Sequence, residues 1–435
     1  MGRAHGRGPG RAHDPQQHSP ARLPGSRHHL GRRAVRGLPD RFRAKARLSA
    51  MRLLYTFPEP LPLERARGLQ VVQTVAALGR AGVDVTLAFA PVRGPGGAFG
   101  AHVDPFAHYA IARPAGVTLA AVPRSLPWPF SGVHSNRLYF ANLQRNCAKG
   151  LAAGPVFVRH LKLAANIARR LPEACFVYEA HEVFGDTATP ARREENRVLE
   201  RTVIAAAGAV IANSAATARR LEALYGGPAL LAVVPNGVAR PDALPDKPWA
   251  DAARHIVYAG SFFPWKGVGE LVDAAARLPG CHIALIGGEP QRIAEMEASC
   301  SPDGAVIEFA GRLPHTAVMA RLAGACIAVL PNREDTDSAF TSPIKLFEYM
   351  AAGCAIVASD LPALREVLGE NEAVWVKPGD AAALAAGIQA LASDPQRARA
   401  LGERVRLRSG EFTWDARGSR VKAVLEDMLR MKARQ

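Results

Sequence analysis

Short apolar segments alternate with longer amphipathic segments along the chain from residue 51 onward. The short segments have the length and Val, Ile and Ala content of buried strands, and the longer ones repeat apolar residues at helical spacing. Strands are predicted at 51–57, 83–89, 156–159, 175–178, 209–212, 231–234, 255–259, 282–286, 306–309, 327–330 and 354–360. Helices are predicted at 69–79, 191–207, 268–278, 343–352, 380–393, 395–408 and 413–433. This alternation is typical of α/β proteins, in which crossover helices join parallel strands.

The pattern falls into two α/β halves separated by a proline-rich stretch that reads as a linker. Residues 90–145 show neither the strand nor the helix period, and they are predicted to be irregular. A Pro-Asn-Gly-Val turn at 235–238 is expected to place Gly237 at positive φ. The predicted units are a first domain over 51–240, the linker over 241–254, a second domain over 255–412 and a closing helix over 413–435.

Positive charge is concentrated in the first 50 residues. That segment holds 12 of the Lys and Arg residues against Asp14 and Asp40, so most of the formal net charge of +16 lies there. It is rich in Gly, Arg, His and Pro without a structural period, which predicts disorder. It lacks the interleaved aromatics of a nucleic-acid surface and the amphipathic pattern of a transit peptide. We therefore expect Met51 to be the true start, and no nucleic-acid partner.

Cysteine usage and hydropathy indicate a cytoplasmic protein. The six cysteines are scattered without C-x-x-C spacing, which argues against a zinc site or a disulfide framework. No uncharged apolar run reaches the length of a membrane span, so none is predicted. Peripheral contact with a membrane stays open.

The predicted helix at 343–352 offers an anion site with a carboxylate close by. Ser342 is a good N-cap, and Gly353 suits the left-handed residue that ends a helix. The first amides of a helix lack intrahelical partners and carry partial positive charge, so they favour anions. Glu348 lies at the edge of the apolar stripe. Its simplest role would be a surface ion pair with Lys345, three residues earlier.

His181 follows the predicted strand 175–178, with Glu179 and Glu182 beside it. Ligands of open α/β sheets bind at the carboxyl ends of the strands, so this histidine is placed for chemistry, although a structural role is also open. The first crossover loop, which leads to Arg67, lacks the G-x-G-x-x-G fingerprint. That absence argues against a dehydrogenase.

Five segments together carry a family resemblance. They read EAHE at 179–182, PNGV at 235–238, GSFFPWKG at 260–267, GRLPH at 311–315 and SPIKLFEYMAAGCAIVASD at 342–360. With these segments the chain resembles the family-four glycosyltransferases, which are retaining enzymes of the GT-B fold. The resemblance implies two Rossmann-like domains that face each other across a cleft, an acceptor domain first and a donor domain second. It also implies that the C-terminal helix packs back on the first domain.

The resemblance assigns a donor site for a nucleoside-diphosphate sugar. Lys266 would neutralise the diphosphate, with help from Arg312 and from the helix amides at Thr341 and Ser342. Glu348 would accept hydrogen bonds from the ribose hydroxyls. The donor is a co-substrate, and no cofactor is implied.

The same family assigns the sugar and acceptor side. His181 would orient the sugar or the acceptor, so His181, Lys266 and Glu348 form the implied catalytic set. Further implied sugar or acceptor contacts are Glu179, Glu182, Arg67 and Phe340. Phe340 stands where the family often has a glutamate that contacts the transferred sugar, which leaves the identity of that sugar open.

Metal is not expected to take part. Negative charge develops on the departing diphosphate, and a lysine with helix amides can stabilise it without a cation. Asp335-Thr336-Asp337 has the spelling of an Asp-x-Asp metal motif, but it lies in a loop beyond a strand end.

These expectations define a metal-independent glycosyltransferase of hexosyl type. The family context favours assembly of a surface polysaccharide or glycolipid on a glycan or lipid-linked acceptor. Two alternatives remain open, a two-domain sugar-nucleotide epimerase and a non-catalytic module that binds sugar nucleotides. An epimer released without acceptor would indicate the first, and donor binding without turnover would indicate the second.

Overall fold

The computed structural model describes residues 51–63, 66–92, 103–126, 135–335 and 344–434. These residues belong to one compact unit that contains two parallel sheets. The confirmed architecture is α/β, with one sheet in each half of the chain.

The N-terminal half is built on a seven-stranded sheet in the order β3-β2-β1-β4-β5-β6-β7, with every neighbouring pair parallel. Its strands are β1 Arg52–Leu61, β2 Asp84–Pro91, β3 Val117–Ala121, β4 Val156–Val158, β5 Phe176–Ala180, β6 Ala209–Ala212 and β7 Leu231–Val233. Its described helices α1–α8 are Ala66–Arg80, Pro105–His108, Asn136–Asn146, Ala148–Ala153, Leu161–Arg170, Phe184–Thr187, Pro190–Ala206 and Ala215–Tyr225.

The C-terminal half contains a six-stranded parallel sheet in the order β10-β9-β8-β11-β12-β13. Its strands are β8 Ile256–Ala259, β9 His282–Ile286, β10 Val306–Gly311, β11 Ile327–Leu330, β12 Ala355–Ser359 and β13 Val374–Val376. Its described helices α9–α16 are Val268–Ala275, Pro290–Glu297, His315–Gly324, Ile344–Ala351, Pro362–Arg365, Ala381–Ala392, Pro395–Arg408 and Trp414–Lys432. Short 3-10 helices are Trp249–Arg254, Pro264–Lys266, Glu370–Glu372 and Ser409–Phe412.

Both sheets are covered by helices on their two faces, which explains why the central strands are continuously apolar. Residues of β4, β6, β11 and β12 are all buried. In each sheet the strand order reverses beside the first strand, between β1 and β4 and between β8 and β11. Such a switch point opens a crevice at the carboxyl ends of the strands.

The last described helix, α16, returns to the N-terminal half as expected. Val421, Leu425 and Met428 are buried in the same core as residues of β1 and α1. Gly418 lies so close to α1 that an added Cβ would come within 2.7 Å of the Ala77 side chain. The core of the first half is therefore completed by residues that follow the whole second half in sequence.

Three local expectations are wrong. Residues 90–145 are not irregular, because they contain β3 and the helices Pro105–His108 and Asn136–Asn146. The edge strand β13 is an additional element. Gly237 does not adopt positive φ. Glycine is needed there because a Cβ would lie 2.5 Å from the ring of Trp414.

One local expectation is confirmed, one is modified, and the rest stay predictions. Gly353 has φ +65°, which confirms the left-handed residue after α12. Within the expected linker, Trp249–Arg254 is helical and Ala252 is buried in the C-terminal core. The domain bounds and the character of residues 1–50 stay predictions. Among the helices that the structure describes, none combines the length and apolar character needed to cross a bilayer.

Candidate functional site

A cleft of about 650 Å³ lies between the two halves, at the carboxyl ends of both sets of strands. The N-terminal half contributes mostly neutral polar side chains, and the C-terminal half contributes most of the charged ones. Polar lining residues are Gln70, His181, Glu182, Asn213 and Asn236 from the first half, with Lys266, His315, Lys345 and Glu348 from the second.

Lys266 is a half-buried cation at the end of the 3-10 turn in the loop after β8. Its Nζ lies 3.9 Å from the centre of the Trp265 ring, a cation–π contact. Among the described residues, no carboxylate lies within ion-pairing distance of it. Burial, together with the charge of Lys345, lowers the pKa of Lys266 to about 8. An anion bound in the cleft would relieve both effects.

Glu348 is a buried acceptor that lines the same cleft as Lys266. Its side chain is 3% exposed, and it accepts from His315 Nε2 at 3.0 Å and from Lys345 Nζ at 2.7 Å. Burial alone would raise the pKa of Glu348, but the His315 hydrogen bond and the charge of Lys345 lower it overall. The carboxylate is therefore ionised at neutral pH, and it keeps lone pairs free to accept further hydrogen bonds.

Helix α12 is fixed to the donor-side sheet by the residue next to Glu348. The Tyr349 hydroxyl accepts from the Ala259 amide at 2.7 Å and lies 3.3 Å from the Ala259 carbonyl. Ala259 is the last residue of β8, directly before the loop that carries Lys266. These contacts tie the helix that carries Glu348 to the strand that leads to the lysine.

His181 directly follows β5 and lies near the charged groups of Glu179 and Arg159. Its Nε2 lies 3.2 Å from Glu179 Oε2, without the alignment of a hydrogen bond. Burial, reinforced by Arg159, lowers the pKa of His181, so the ring is neutral at pH 7. Burial alone would raise the pKa of Glu179, but His181 and Arg417 lower it overall. A neutral imidazole beside an ionised carboxylate suits orientation of a hydroxyl.

Arg417 of α16 contacts Glu179, the partner of His181. Its side chain is 3% exposed and donates to Glu179, to the Val234 carbonyl at 2.8 Å and to the Pro235 carbonyl at 2.6 Å. A fourth contact reaches Thr74 of α1 at 3.3 Å. Arg417 therefore connects the closing helix to the strand end that carries His181.

The remaining predicted residues are only partly brought to the cleft. Glu182 lines it and accepts from Thr187 Oγ1 at 2.8 Å. Glu179 lies behind His181, so it contacts the histidine and Arg417 rather than open space. Arg67 pairs with Glu59 at 2.5 Å. Arg312 does not line the cleft, because it is exposed and paired with Glu289. The diphosphate role of Arg312 stays a prediction that this placement does not favour.

Several predicted residues lie outside the described residues. They are Phe340, Thr341 and Ser342, together with Thr336 and Asp337 of the Asp-x-Asp spelling. In the described ranges, no group of three His, Cys, Asp or Glu residues could hold a metal. Metal independence stays a prediction.

Reasoning from the sequence missed two contributors to the site, His315 and Arg417, and placed a third, Lys345, in the wrong surroundings. His315 belongs to the GRLPH segment, but its bond to Glu348 depends on how β10 and α12 meet. Lys345 was expected as the partner of Glu348, and the pair exists, but it joins a half-buried lysine to a buried carboxylate at the cleft rather than two groups on the open surface. Arg417 had no sequence signal, because 238 residues separate it from Glu179.

Two family models match the chain, one on each half. Residues 68–240 match the model described as Glycosyltransferase Family 4, and residues 253–394 match the one described as Glycosyl transferases group 1. The first match contains β2 to β7, and the second contains β8 to β13.

Two curated relatives are about 30% identical to the chain over the part that aligns. Glycogen synthase of Mycobacterium tuberculosis is 30% identical over 232 residues, which cover 50% of this chain and 53% of that protein. A phosphatidyl-myo-inositol mannosyltransferase of the same organism is 28% identical over 296 residues, which cover 62% of this chain and 73% of that protein. The chain thus spans about half the length of the first curated relatives it matches.

Solved structures share the architecture over nearly the whole described chain. Sucrose-phosphate synthase from Thermosynechococcus elongatus has a TM-score of 0.67 at 20% identity, covering 88% of this chain and 100% of that one. Anabaena HepE in complex with UDP-glucose has a TM-score of 0.61 at 16% identity, covering 87% and 100%. These likenesses confirm the GT-B fold. The chain belongs to the glycosyltransferases, with a Family 4 domain followed by a group 1 domain.

Proposed function

We propose that this protein transfers a sugar from a nucleoside-diphosphate sugar to an acceptor hydroxyl, with retention and without a metal. The observation that carries the proposal is that one cleft is lined by a half-buried cation without a carboxylate partner among the described residues, Lys266, and by a buried ionised acceptor, Glu348. A diphosphate is an anion that Lys266 can bind, and a ribose supplies the hydroxyl donors that Glu348 can accept.

The donor is proposed to lie on the C-terminal half. Its diphosphate would contact Lys266 and the amino end of α12, and its ribose would reach Glu348 between His315 and Lys345. The complex of Anabaena HepE with UDP-glucose supports a uridine donor as the first to test, because that protein shares this fold.

The chemistry follows from the charges that face the cleft. The bond between the anomeric carbon and the diphosphate oxygen breaks, and its electron pair stays on the diphosphate, which Lys266 stabilises. The acceptor oxygen bonds to the anomeric carbon on the same face, and its proton passes to the departing phosphate oxygen. Neutral His181 orients the sugar or acceptor during this step.

The acceptor is proposed to be a glycan or a lipid-linked sugar in polysaccharide or glycolipid assembly. The named activities of the relatives, a glycogen synthase and a phosphatidyl-myo-inositol mannosyltransferase, support a hexosyl group as the cargo. We place the enzyme in the cytoplasm, with peripheral contact to the membrane where the acceptor is a lipid.

The direct test is turnover with a panel of nucleoside-diphosphate hexoses, with products identified by mass spectrometry. Lys266→Ala and Glu348→Ala are each expected to abolish donor hydrolysis and transfer while the fold is kept. Glu308→Ala is the matched control, since Glu308 pairs with Arg321 on the surface of the same half. Wild-type rates in both cleft variants would refute the proposal. Release of an epimer, or binding without turnover, would also refute it.

A further inference from the structure

Three arginines lie at the carboxyl edge of the N-terminal sheet, away from the donor residues. Arg124 follows β3, Arg159 directly follows β4, and Arg67 lies in the first turn of α1, after β1. Because all seven strands are parallel, these positions share one edge of the sheet. It is the edge that carries His181.

Among the described residues, a carboxylate pairs with only one of these three arginines. In the part of the chain that the structure describes, Arg124 and Arg159 have no carboxylate within ion-pairing distance, and the Nε atoms of Arg67 and Arg124 are buried without a partner. Arg159 donates to the neutral Gln70 Oε1 at 3.4 Å. Only Arg67 has an acid, Glu59 at 2.5 Å through Nη2. Guanidinium groups left this way favour an anion from outside.

The pKa of the His160 ring is lowered by its burial and by the positive charges around it. Its Nδ1 accepts from the Leu163 amide at 3.3 Å, which fixes it at the start of Leu161–Arg170. Burial, reinforced by Arg124, Lys162 and Arg67, lowers the pKa of His160 to about 4. Lys162 is paired with Glu195 and Arg67 with Glu59, so among the described residues Arg124 is the cation beside His160 whose charge no carboxylate neutralises.

The cluster connects to the cleft through a chain of hydrogen bonds. Arg159 donates to Gln70, and Gln70 Nε2 donates to Asn236 Oδ1 at 2.9 Å. Both amide side chains line the cleft. A ligand bound at the arginines would therefore extend toward His181 from the acceptor side.

We propose that the acceptor carries a phosphate ester, held by Arg124, Arg159 and Arg67, while its hydroxyl lies at His181. This inference rests on the proposed transferase function and names its acceptor class. Arginine forks match phosphate oxygens in two parallel hydrogen bonds, which neutral amides do not provide. The phosphate belongs either to a soluble sugar phosphate or to a lipid headgroup.

Binding of inorganic phosphate, followed by calorimetry and by the NMR titration of His160, tests the site. The background is Lys266→Ala, which removes the proposed donor site as a second place for phosphate. We expect phosphate to bind and to raise the pKa of His160. We expect Arg124→Gln to weaken binding about tenfold or more, whereas Arg169→Gln, an exposed arginine of the same half, leaves it unchanged. No binding, or equal loss in both variants, would overturn the proposal.

Two further arms identify the source of the phosphate. Glucose 6-phosphate represents the soluble class, and phosphatidylcholine vesicles with and without phosphatidylglycerol represent the lipid class. If Arg124→Gln weakens binding of one of these probes, the proposal is supported and that probe identifies the source of the phosphate. If Arg124→Gln weakens binding of neither probe, the proposal is overturned. UDP-glucose binding to Arg124→Gln, with Lys266 intact, separates the two proposals. Retained donor binding with lost phosphate binding supports both, whereas absent donor binding in the wild type refutes the transferase alone.

Discussion

The protonation state of Lys266 sets the pH range in which the cleft can hold a diphosphate. Its pKa is lowered to about 8 by burial and by Lys345, so the side chain is cationic below that pH and loses its charge as pH rises through it. Donor affinity should therefore fall above about pH 8, measured as the Kd of UDP by calorimetry. Lys266→Arg keeps its charge at these pH values, so its profile should stay flat in the same range. A fall of equal size in both proteins would contradict the assignment.

Arg417 is expected to act by positioning His181. Its replacement by Met leaves Glu179 buried without its guanidinium partner, which should lower the free energy of unfolding by about 3–5 kcal/mol. It should also lower kcat about a hundredfold. The KM for donor should change little, because Lys266 and Glu348 lie on the other half.

The double variant Arg417→Met, Glu179→Leu separates position from stability. Removing the stranded carboxylate should restore the free energy of unfolding without restoring kcat. Recovery of both together would show that Arg417 serves stability alone.

Side chains with a role fixed by one local segment could be predicted from the sequence, whereas roles that need two distant segments could not. Lys266 and Glu348 were expected from one short motif each, and both line the cleft, while their roles toward a donor stay predictions. The bond from His315 to Glu348 requires the loop after β10 to reach α12. Arg417 required the return of α16 to the first half, and its residue type alone carries no sign of a buried partner.

The loop that presents Lys266 depends on a glycine that ends a single 3-10 turn. Gly267 has φ +69°, and a Cβ there would lie 1.8 Å from the Pro331 carbonyl oxygen. Gly267→Ala should lower the free energy of unfolding by at least about 2 kcal/mol and weaken donor binding.

Gly269 provides the matched control two residues later, inside α9. No atom lies within 4 Å of the Cβ that alanine would add there. Gly269→Ala should therefore raise the free energy of unfolding by about 0.5–1 kcal/mol, read from denaturant curves of both variants. Equal stability of the two alanine variants would show that Gly267 carries no strain.

Long periodic elements were predictable, and short or weakly apolar ones were not. The 14-residue helix Pro395–Arg408 matches its predicted bounds, because its apolar spacing continues over several turns. Val117–Ala121 was missed since its Val-Thr-Leu-Ala-Ala sequence is a weak strand signal at a sheet edge. Val374–Val376 has three residues, too few to establish a period of two.

A carboxylate from the C-terminal half caps a helix of the N-terminal half. Glu366 accepts from the amides of Ala215 and Ala216, both at 2.7 Å, and lies 3.3 Å from Arg219. These amides are among the first of α8 and have no intrahelical partner. The contact therefore holds the two halves together in the arrangement seen in this structure.

Glu366→Ala should let the halves move apart in the donor-free protein. We expect a larger radius of gyration by small-angle X-ray scattering and a donor Kd raised by less than tenfold, in line with the loss of one helix cap. Glu370→Ala is the control, because Glu370 is exposed and pairs with Arg365 of its own half. Identical scattering from the two variants would show that the contact of Glu366 with α8 does not hold the halves together.

The division into two α/β halves was predictable because a proline-rich stretch interrupts the pattern. How the halves meet was not, since contacts such as Glu366 with α8 involve no local signal and join surfaces about 150 residues apart.

The return of α16 also sets an order of events during synthesis. The ribosome delivers the N-terminal sheet first, but Val421, Leu425 and Met428, which close its core, emerge only after the entire second half. Until then the face of α1 that receives them is exposed to water, and chaperones can bind it. The C-terminal half has its own sheet and core and needs no such wait. The nascent chain should therefore complete its second half before its first.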